Sequence, residues 1–333
     1  MENIMTLHEN KEAFSNAIRA ASDHLGIREI FVEKDYWVTF LLKRLSLSEY
    51  ADRVIFKGGT SLSKVFRLID RFSEDVDLAI LKTEGQTETQ IRILIRKVEK
   101  DLTMGLTELE MPGLTSKQKN YRKTGYNYNR IVDEENAGIQ NQLILEINSF
   151  ADPVPFSKHS INCLITQYLV ETGNIPLIER YNLEPFDLLV LDPMVTLIEK
   201  ILSLVRLSFF DDGVDRIRAK VRHFYDIYFL THRSEFHEPE NISRFIKDFT
   251  RMFEDEKTRF HDPDTWLQSS FSDSPLFRKF DDIWDKVKGS YETDFRLLVQ
   301  GEFPDNDTIL KQIVFIIELL SPGKQVRSKN EYN

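Results

Sequence analysis

The stretch Asp75-Val76-Asp77-Leu78-Ala79-Ile80 alternates acidic or small residues with bulky apolar ones. Successive side chains of a β-strand point to opposite faces. The pattern therefore predicts a strand that buries Val76, Leu78 and Ile80 and projects both carboxylates from its other face. Residues i and i+2 lie less than about 7 Å apart along a strand, so the two acids repel unless a cation lies between them. Mg2+ takes oxygen ligands and commonly keeps phosphate company, which makes it the natural occupant.

Upstream, residues 53–57 form a short apolar run that stops at Gly58-Gly59. This predicts a strand ending in a tight turn, with Thr60 and Ser61 as candidate N-caps of a helix reaching about residue 68. A glycine pair there lets backbone N–H groups approach a phosphate. Alone, it fits equally well a turn that only needs positive φ. An isolated Asp-x-Asp is likewise most often an exposed strand edge. The order of strand, glycine turn, helix and strand opening on paired acids is far more specific, because it brings a triphosphate and metal ions to one spot. Ser61 and Ser63 both qualify as phosphate ligands.

Helical periodicity is expected over residues 8–24, 29–46 and 87–105, and strands over 142–150, 161–170 and 188–191. Residues 116–130 are polar and read as irregular. Beyond Asp192-Pro193 the spacing turns helical, over residues 194–207, 214–231, 242–253 and 308–320. Strands followed by helices predict an α+β domain over residues 1–190 and a helical carboxyl-terminal domain over 191–333.

The net charge of −10 argues against a protein that coats DNA or membranes nonspecifically. The single cysteine, Cys163, excludes an internal disulfide and a cysteine-based zinc site, and suits a reducing compartment. The first residues carry no basic and apolar signal-peptide pattern, and no apolar run approaches the ~20 residues a bilayer needs. A cytoplasmic protein with no membrane partner is expected.

Lys57-Gly58-Gly59-Thr60-Ser61-Leu62-Ser63-Lys64, followed by Arg71-Phe72-Ser73-Glu74-Asp75-Val76-Asp77-Leu78, resembles the first motif of the AbiEii/AbiGii toxin family of DNA-polymerase-β-like nucleotidyltransferases. Glu33-Lys34-Asp35-Tyr36-Trp37-Val38, Leu145-Glu146-Ile147-Asn148 and the segments around Lys200 and Asp226 extend the likeness over roughly residues 30–230. The resemblance implies a polymerase-β-like domain with a mixed sheet. It also implies two Mg2+ ions, with Mn2+ as a substitute, on Asp75, Asp77 and Glu146. Gly58, Gly59, Thr60, Ser61 and Ser63 would hold the nucleotide. Lys200 would bind the triphosphate, and Asp226 would serve either as a base or as a positioner of Lys200. The implied reaction is NMP transfer from an NTP to a tRNA 3′ end by a toxin with a separately encoded antitoxin and a role in phage defence.

Bland alternatives stand beside several of these readings. Glu146 fits a cross-strand partner of a lysine, and Lys200, like Arg206 on the same side of its helix, fits a snorkelling surface residue. Asp226 fits an i,i+4 partner of Arg222, His223 a structural histidine, and Lys34 with Asp35 an interdomain ion pair. Lys117, Lys119, Arg122, Lys123 and Arg130, interleaved with Tyr121, Tyr126 and Tyr128, suit single-stranded RNA or a solvated hairpin. Arg216, Arg218, Lys220 and Arg222 form a second basic run. Functional rivals are nucleotidylation of a protein or small-molecule hydroxyl, and a non-catalytic interaction module.

Overall fold

The computed structural model describes residues 6–73, 75–133, 141–150 and 153–321; residues 1–5 and Glu74 of the acidic motif lie outside them. The chain divides into two compact units, Met1–Arg67 with Phe72–Leu191, and Leu68–Arg71 with Asp192–Asn333.

The first unit is built on a sheet of β1 (Val54–Lys57), β2 (Asp75–Ile80), β3 (Thr107–Leu109), β4 (Ser116–Lys117), β5 (Tyr121–Asn127), β6 (Leu143–Asn148), β7 (Phe156–Ile161) and β8 (Phe186–Leu191). The order is β3-β5-β6-β2-β1-β8-β7, with β4 paired to β5. β2 runs parallel to β6 and β1 to β8, while the other pairs are antiparallel, so the sheet is mixed. Val54, Phe56, Val76, Leu78, Ile80, Leu143, Leu145 and Ile147 are fully buried in one cluster, as the alternation demands. The same cluster takes in the apolar stripes of α1 (Lys11–Leu25), α2 (Glu29–Ser46) and, past α3 (Gly58–Lys64), of α4 (Glu88–Leu102). A capping box between Thr87 and Gln90 starts α4.

Three expectations are corrected here. Residues 161–170 are not one strand: β7 ends at Ile161, and α5 (Leu164–Glu171) begins where the Cys163 thiol accepts the Thr166 N–H at 3.3 Å. α6 (Ile175–Arg180) follows. Residues 116–130 are not irregular, since they carry β4 and β5. The first expected helix opens with a separate 3₁₀ turn, Leu7–Glu9.

In the second unit, Asp192 accepts the Met194 N–H at 2.8 Å and Pro193 occupies the first turn, so α7 (Pro193–Leu207) starts there. The helix expected over 214–231 is broken into α8 (Gly213–Arg218) and α9 (Arg222–His232). α10 (Pro239–Lys257) buries Phe245, Phe249, Met252 and Phe253 at helical spacing. The remaining α-helices are α11 (Asp264–Gln268), α12 (Pro275–Arg278), α13 (Phe280–Ser290) and α14 (Asn306–Leu320), and Trp266, Trp284 and Tyr291 are buried among the aromatic residues of this unit. Residues 68–71 join it through a bridge from Arg71 to Val299 and a 2.9 Å bond from the Gln300 N–H to the Asp70 carbonyl. Among the described residues, no helix is long and apolar enough to cross a membrane.

Candidate active site

Four charged residues stand in register across the middle of the first unit's sheet. Lys57 of β1 is opposite Asp77 of β2, Asp77 opposite Glu146 of β6, and Glu146 opposite Lys123 of β5. Directly opposed residues share a face, so the row reads plus, minus, minus, plus on the side away from Val76 and Leu78. Asp75 adds a third carboxylate to the same face. The Lys123 ammonium lies 3.4 Å from Glu146 Oε2. Burial, and then the charges of Glu146 and Asp75, push the Asp77 pKa up to about 7 against the opposing pull of Lys123 and Lys57. The carboxylates are thus held closer together than their own charge favours.

The glycine turn closes against this row. Gly58 has φ +80°, and a Cβ there would lie 2.1 Å from Asp77 Oδ2. Both the backbone conformation and the space demand glycine. α3 begins at Gly58 itself, so Thr60 and Ser61 lie inside its first turn and are not N-caps. Thr60 Oγ1 instead donates to the Asp75 carbonyl at 2.5 Å and lies 3.0 Å from Ser73 Oγ, which ties α3 to the start of β2. Ser61 is fully buried and donates to the Gly58 carbonyl at 2.9 Å, whereas Ser63 is half-buried, with its hydroxyl 3.3 Å from the Gly59 and Thr60 carbonyls. Of the two serines, Ser63 is the more accessible.

Glu33, Lys34 and Asp35 brace this arrangement from α2. Asp35 pairs with Lys64 at 2.5 Å and accepts the Leu164 N–H at 2.7 Å, holding the end of α3. Lys34 donates to the Gln142 carbonyl just before β6, and Glu33 accepts the Ile131 and Val132 N–H groups at 2.7 and 3.0 Å. Lys64 belongs to the first unit, so the ion pair of Asp35 lies within that unit.

In the second unit, Asp226 is fully buried and accepts two bonds from Arg71, Nε to Oδ1 at 2.6 Å and Nη2 to Oδ2 at 2.7 Å. Lys200 Nζ lies 2.8 Å from the same Oδ2. Burial alone would raise the Asp226 pKa, but Arg71 and Lys200 outweigh it and hold the carboxyl below its usual range. Burial lowers the Lys200 pKa, and Asp226 offsets part of that. Lys200 is therefore not a snorkelling surface lysine, nor is Asp226 an exposed helix partner of Arg222. His223 is buried beside them, its Nδ1 without a hydrogen-bond partner among the described residues, and burial followed by the nearby Lys200 charge pushes its pKa well down, which leaves a neutral imidazole. Arg206 packs over the Phe260 ring at 4.1 Å. The sequence reading missed Arg71 as the second cation on Asp226; its only trace there is its place in the acidic motif.

The polar segment before β6 serves the fold more than the RNA reading expected. Arg122 pairs with Glu99, Lys117 with Glu108, and Lys123 with Glu146. Tyr126 and Tyr128 are buried in the core. Arg216 and Arg218 are paired with Asp212 and Asp215.

Among the described residues, no three acidic, histidine or cysteine side chains converge into a ready-made metal cage. The donor set still suits a hard cation: Asp75, Asp77 and Glu146 offer oxygen alone and repel one another. Mg2+ in phosphoryl-transfer sites is held by one or two carboxylates together with substrate phosphates, not by an all-protein cage.

A model of the AbiEii family, described as a nucleotidyl transferase toxin of type IV toxin–antitoxin systems, matches residues 40–312. MenT4, a nucleotidyltransferase toxin from Mycobacterium tuberculosis, superposes with a TM-score of 0.54 at 15% identity, over 92% of this chain and 89% of its own. At that identity the likeness speaks for the fold alone. JHP933 from Helicobacter pylori is 17% identical over 88% of this chain and 92% of its own, with a TM-score of 0.42. No curated protein sequence matches.

Proposed function

The chain belongs to the AbiEii family of type IV nucleotidyltransferase toxins, and on that premise we propose that it moves NMP from an NTP to the 3′ end of tRNA, releasing pyrophosphate and stopping translation. Family membership brings with it an NTP substrate and an antitoxin partner, which we take to be separately encoded. The observation that carries the reading is the opposition of Asp77 and Glu146, with Asp75 beside them and Gly58 pressed against Asp77.

Asp75, Asp77 and Glu146 would hold Mg2+, with Mn2+ as a substitute; bound there, the metal would neutralise charge on the phosphates and lower the pKa of the acceptor hydroxyl. Gly58 and Gly59 let the phosphates approach the backbone, with Ser63 the accessible hydroxyl beside them. Thr60 and Ser61 act by holding that backbone in place. The acceptor oxygen bonds to the α-phosphorus as the bond from phosphorus to pyrophosphate breaks, so the protein's task is positioning and electrostatics. In the second unit, Asp226 with Arg71 positions the Lys200 ammonium, and Lys200 and Asp226 remain proposed functional residues.

Purified protein incubated with bulk tRNA, Mg2+ and each labelled NTP in turn tests this proposal. Lengthened, labelled tRNA is expected from the wild type and none from Asp75→Ala or Asp77→Ala variants that retain their circular dichroism. Label that protease removes, with tRNA unchanged, would favour a protein acceptor.

A further inference from the structure

Beside the charged row, past Lys123, stand two aromatic rings. Tyr121 lies two residues before Lys123 on β5 and is paired with Asn148 of β6, so it shares the face of Lys123 and Glu146. Phe150 follows just beyond the end of β6, and its ring stacks on Tyr121 with centroids 5.6 Å apart and planes inclined by 19°. Both rings are half-buried.

Position decides which partner the rings serve. Gly58 abuts Asp77 and lies at the β1 side of the row, whereas Glu146, Lys123 and Tyr121 follow toward β5. In-line transfer puts the attacking and leaving oxygens on opposite sides of the phosphorus. With the leaving pyrophosphate on the glycine side, the attacking hydroxyl enters from the β5 side.

We infer that the stacked Tyr121 and Phe150 rings form a ledge for the terminal base of a single-stranded RNA acceptor, with Lys123 supplying positive charge beside it. Aromatic faces accept any base by stacking, and cations close by suit the phosphate backbone. The inference rests on the proposed transfer to a tRNA 3′ end and deepens it by assigning the side chains that hold the acceptor's terminal base.

The test compares steady-state transfer to bulk tRNA, from a mixture of the four NTPs with Mg2+, in wild type, Tyr121→Leu, Phe150→Leu, and the ring-keeping Tyr121→Phe and Phe150→Tyr. Each leucine variant is expected to raise the KM for tRNA roughly tenfold or more, as loss of base stacking requires. The KM for NTP stays within about twofold, and the ring-keeping variants behave as wild type. A Phe150→Trp variant gives a readout without turnover: tRNA quenches the added indole and NTP alone does not. Transfer to RNA with an unchanged KM for tRNA in both leucine variants overturns the ledge and leaves the enzyme reading intact. A rise confined to the KM for NTP, or quenching by NTP alone, overturns it too and moves the rings to the incoming nucleotide. A wild-type chain that labels only protein or small hydroxyl compounds overturns both readings together.

Discussion

Asp77 and Glu146 face each other across adjacent parallel strands, two acids at a cross-strand position where like charges repel. Burial, together with their proximity, pushes the Asp77 pKa up to about 7 in the folded protein, from an ordinary value of 3.8. The folded state thus takes up this proton more readily than the unfolded chain. The associated stability is fully present below the ordinary carboxylate pKa and is lost as pH rises through about 7. In EDTA, the melting temperature should fall between roughly pH 5 and pH 8, and Asp77→Asn should flatten that fall. Mg2+ should raise the melting temperature more at the higher pH, where the carboxylates are ionised. Scanning fluorimetry across the range checks all three, and a pH-independent response to Mg2+ would contradict the assignment.

Gly58→Ala should cost activity far more than stability. The new methyl would collide with Asp77 Oδ2, and a residue with a Cβ at φ +80° carries strain of about 1–2 kcal/mol. A loss of roughly 100-fold or more in kcat/KM is expected with a modest drop in melting temperature. Near-normal turnover would mean that the Asp77 position does not matter to the chemistry.

Lys123→Met removes a charge that pulls the Asp77 pKa down. The acidic limb of the pH–rate profile should therefore move to higher pH, since activity needs the ionised carboxylate. An unmoved limb, with only a uniform fall in rate, would assign Lys123 to another task.

Asp226→Ala leaves Arg71 and Lys200 as buried cations without their shared carboxylate, so urea unfolding should show a loss of about 3–5 kcal/mol. Lys200→Met should cost less, because Arg71 still grips Asp226 through two bonds. The same variant should lower kcat by roughly 100-fold or more in a folded protein. A Lys200→Met enzyme with wild-type turnover would make the cluster purely structural.

The paired acids were legible because a strand's period of two is local: Asp75 and Asp77 announce their shared face without any knowledge of their neighbours. What surrounds them was not local. Lys57, Lys123 and Glu146 meet Asp77 only through strand register across β1, β5 and β6, so the sequence suggested Glu146 by resemblance, placed Lys123 in a basic run read as RNA-binding or a hairpin, and gave Lys57 no role. β5 looked irregular because its polar side chains find partners on α4 and β6, far away in sequence. The run 161–170 misled for a different reason. Ile165 and Leu169 are buried at helical spacing while Val170 is exposed, and a short apolar stretch with either period looks alike until the Cys163 cap is seen. Likewise, nothing local in residues 68–71 reveals that they pack with the second unit, which is what carries Arg71 to Asp226.

The most direct measurement is a crystal structure of the protein with Mn2+ and a non-hydrolysable NTP, read by anomalous scattering. The account predicts manganese bound by Asp75 and Asp77 and shared with the triphosphate, with the phosphates against Gly58 and Gly59. An ordered nucleotide bound away from these residues, with no anomalous signal at the carboxylates, would contradict it.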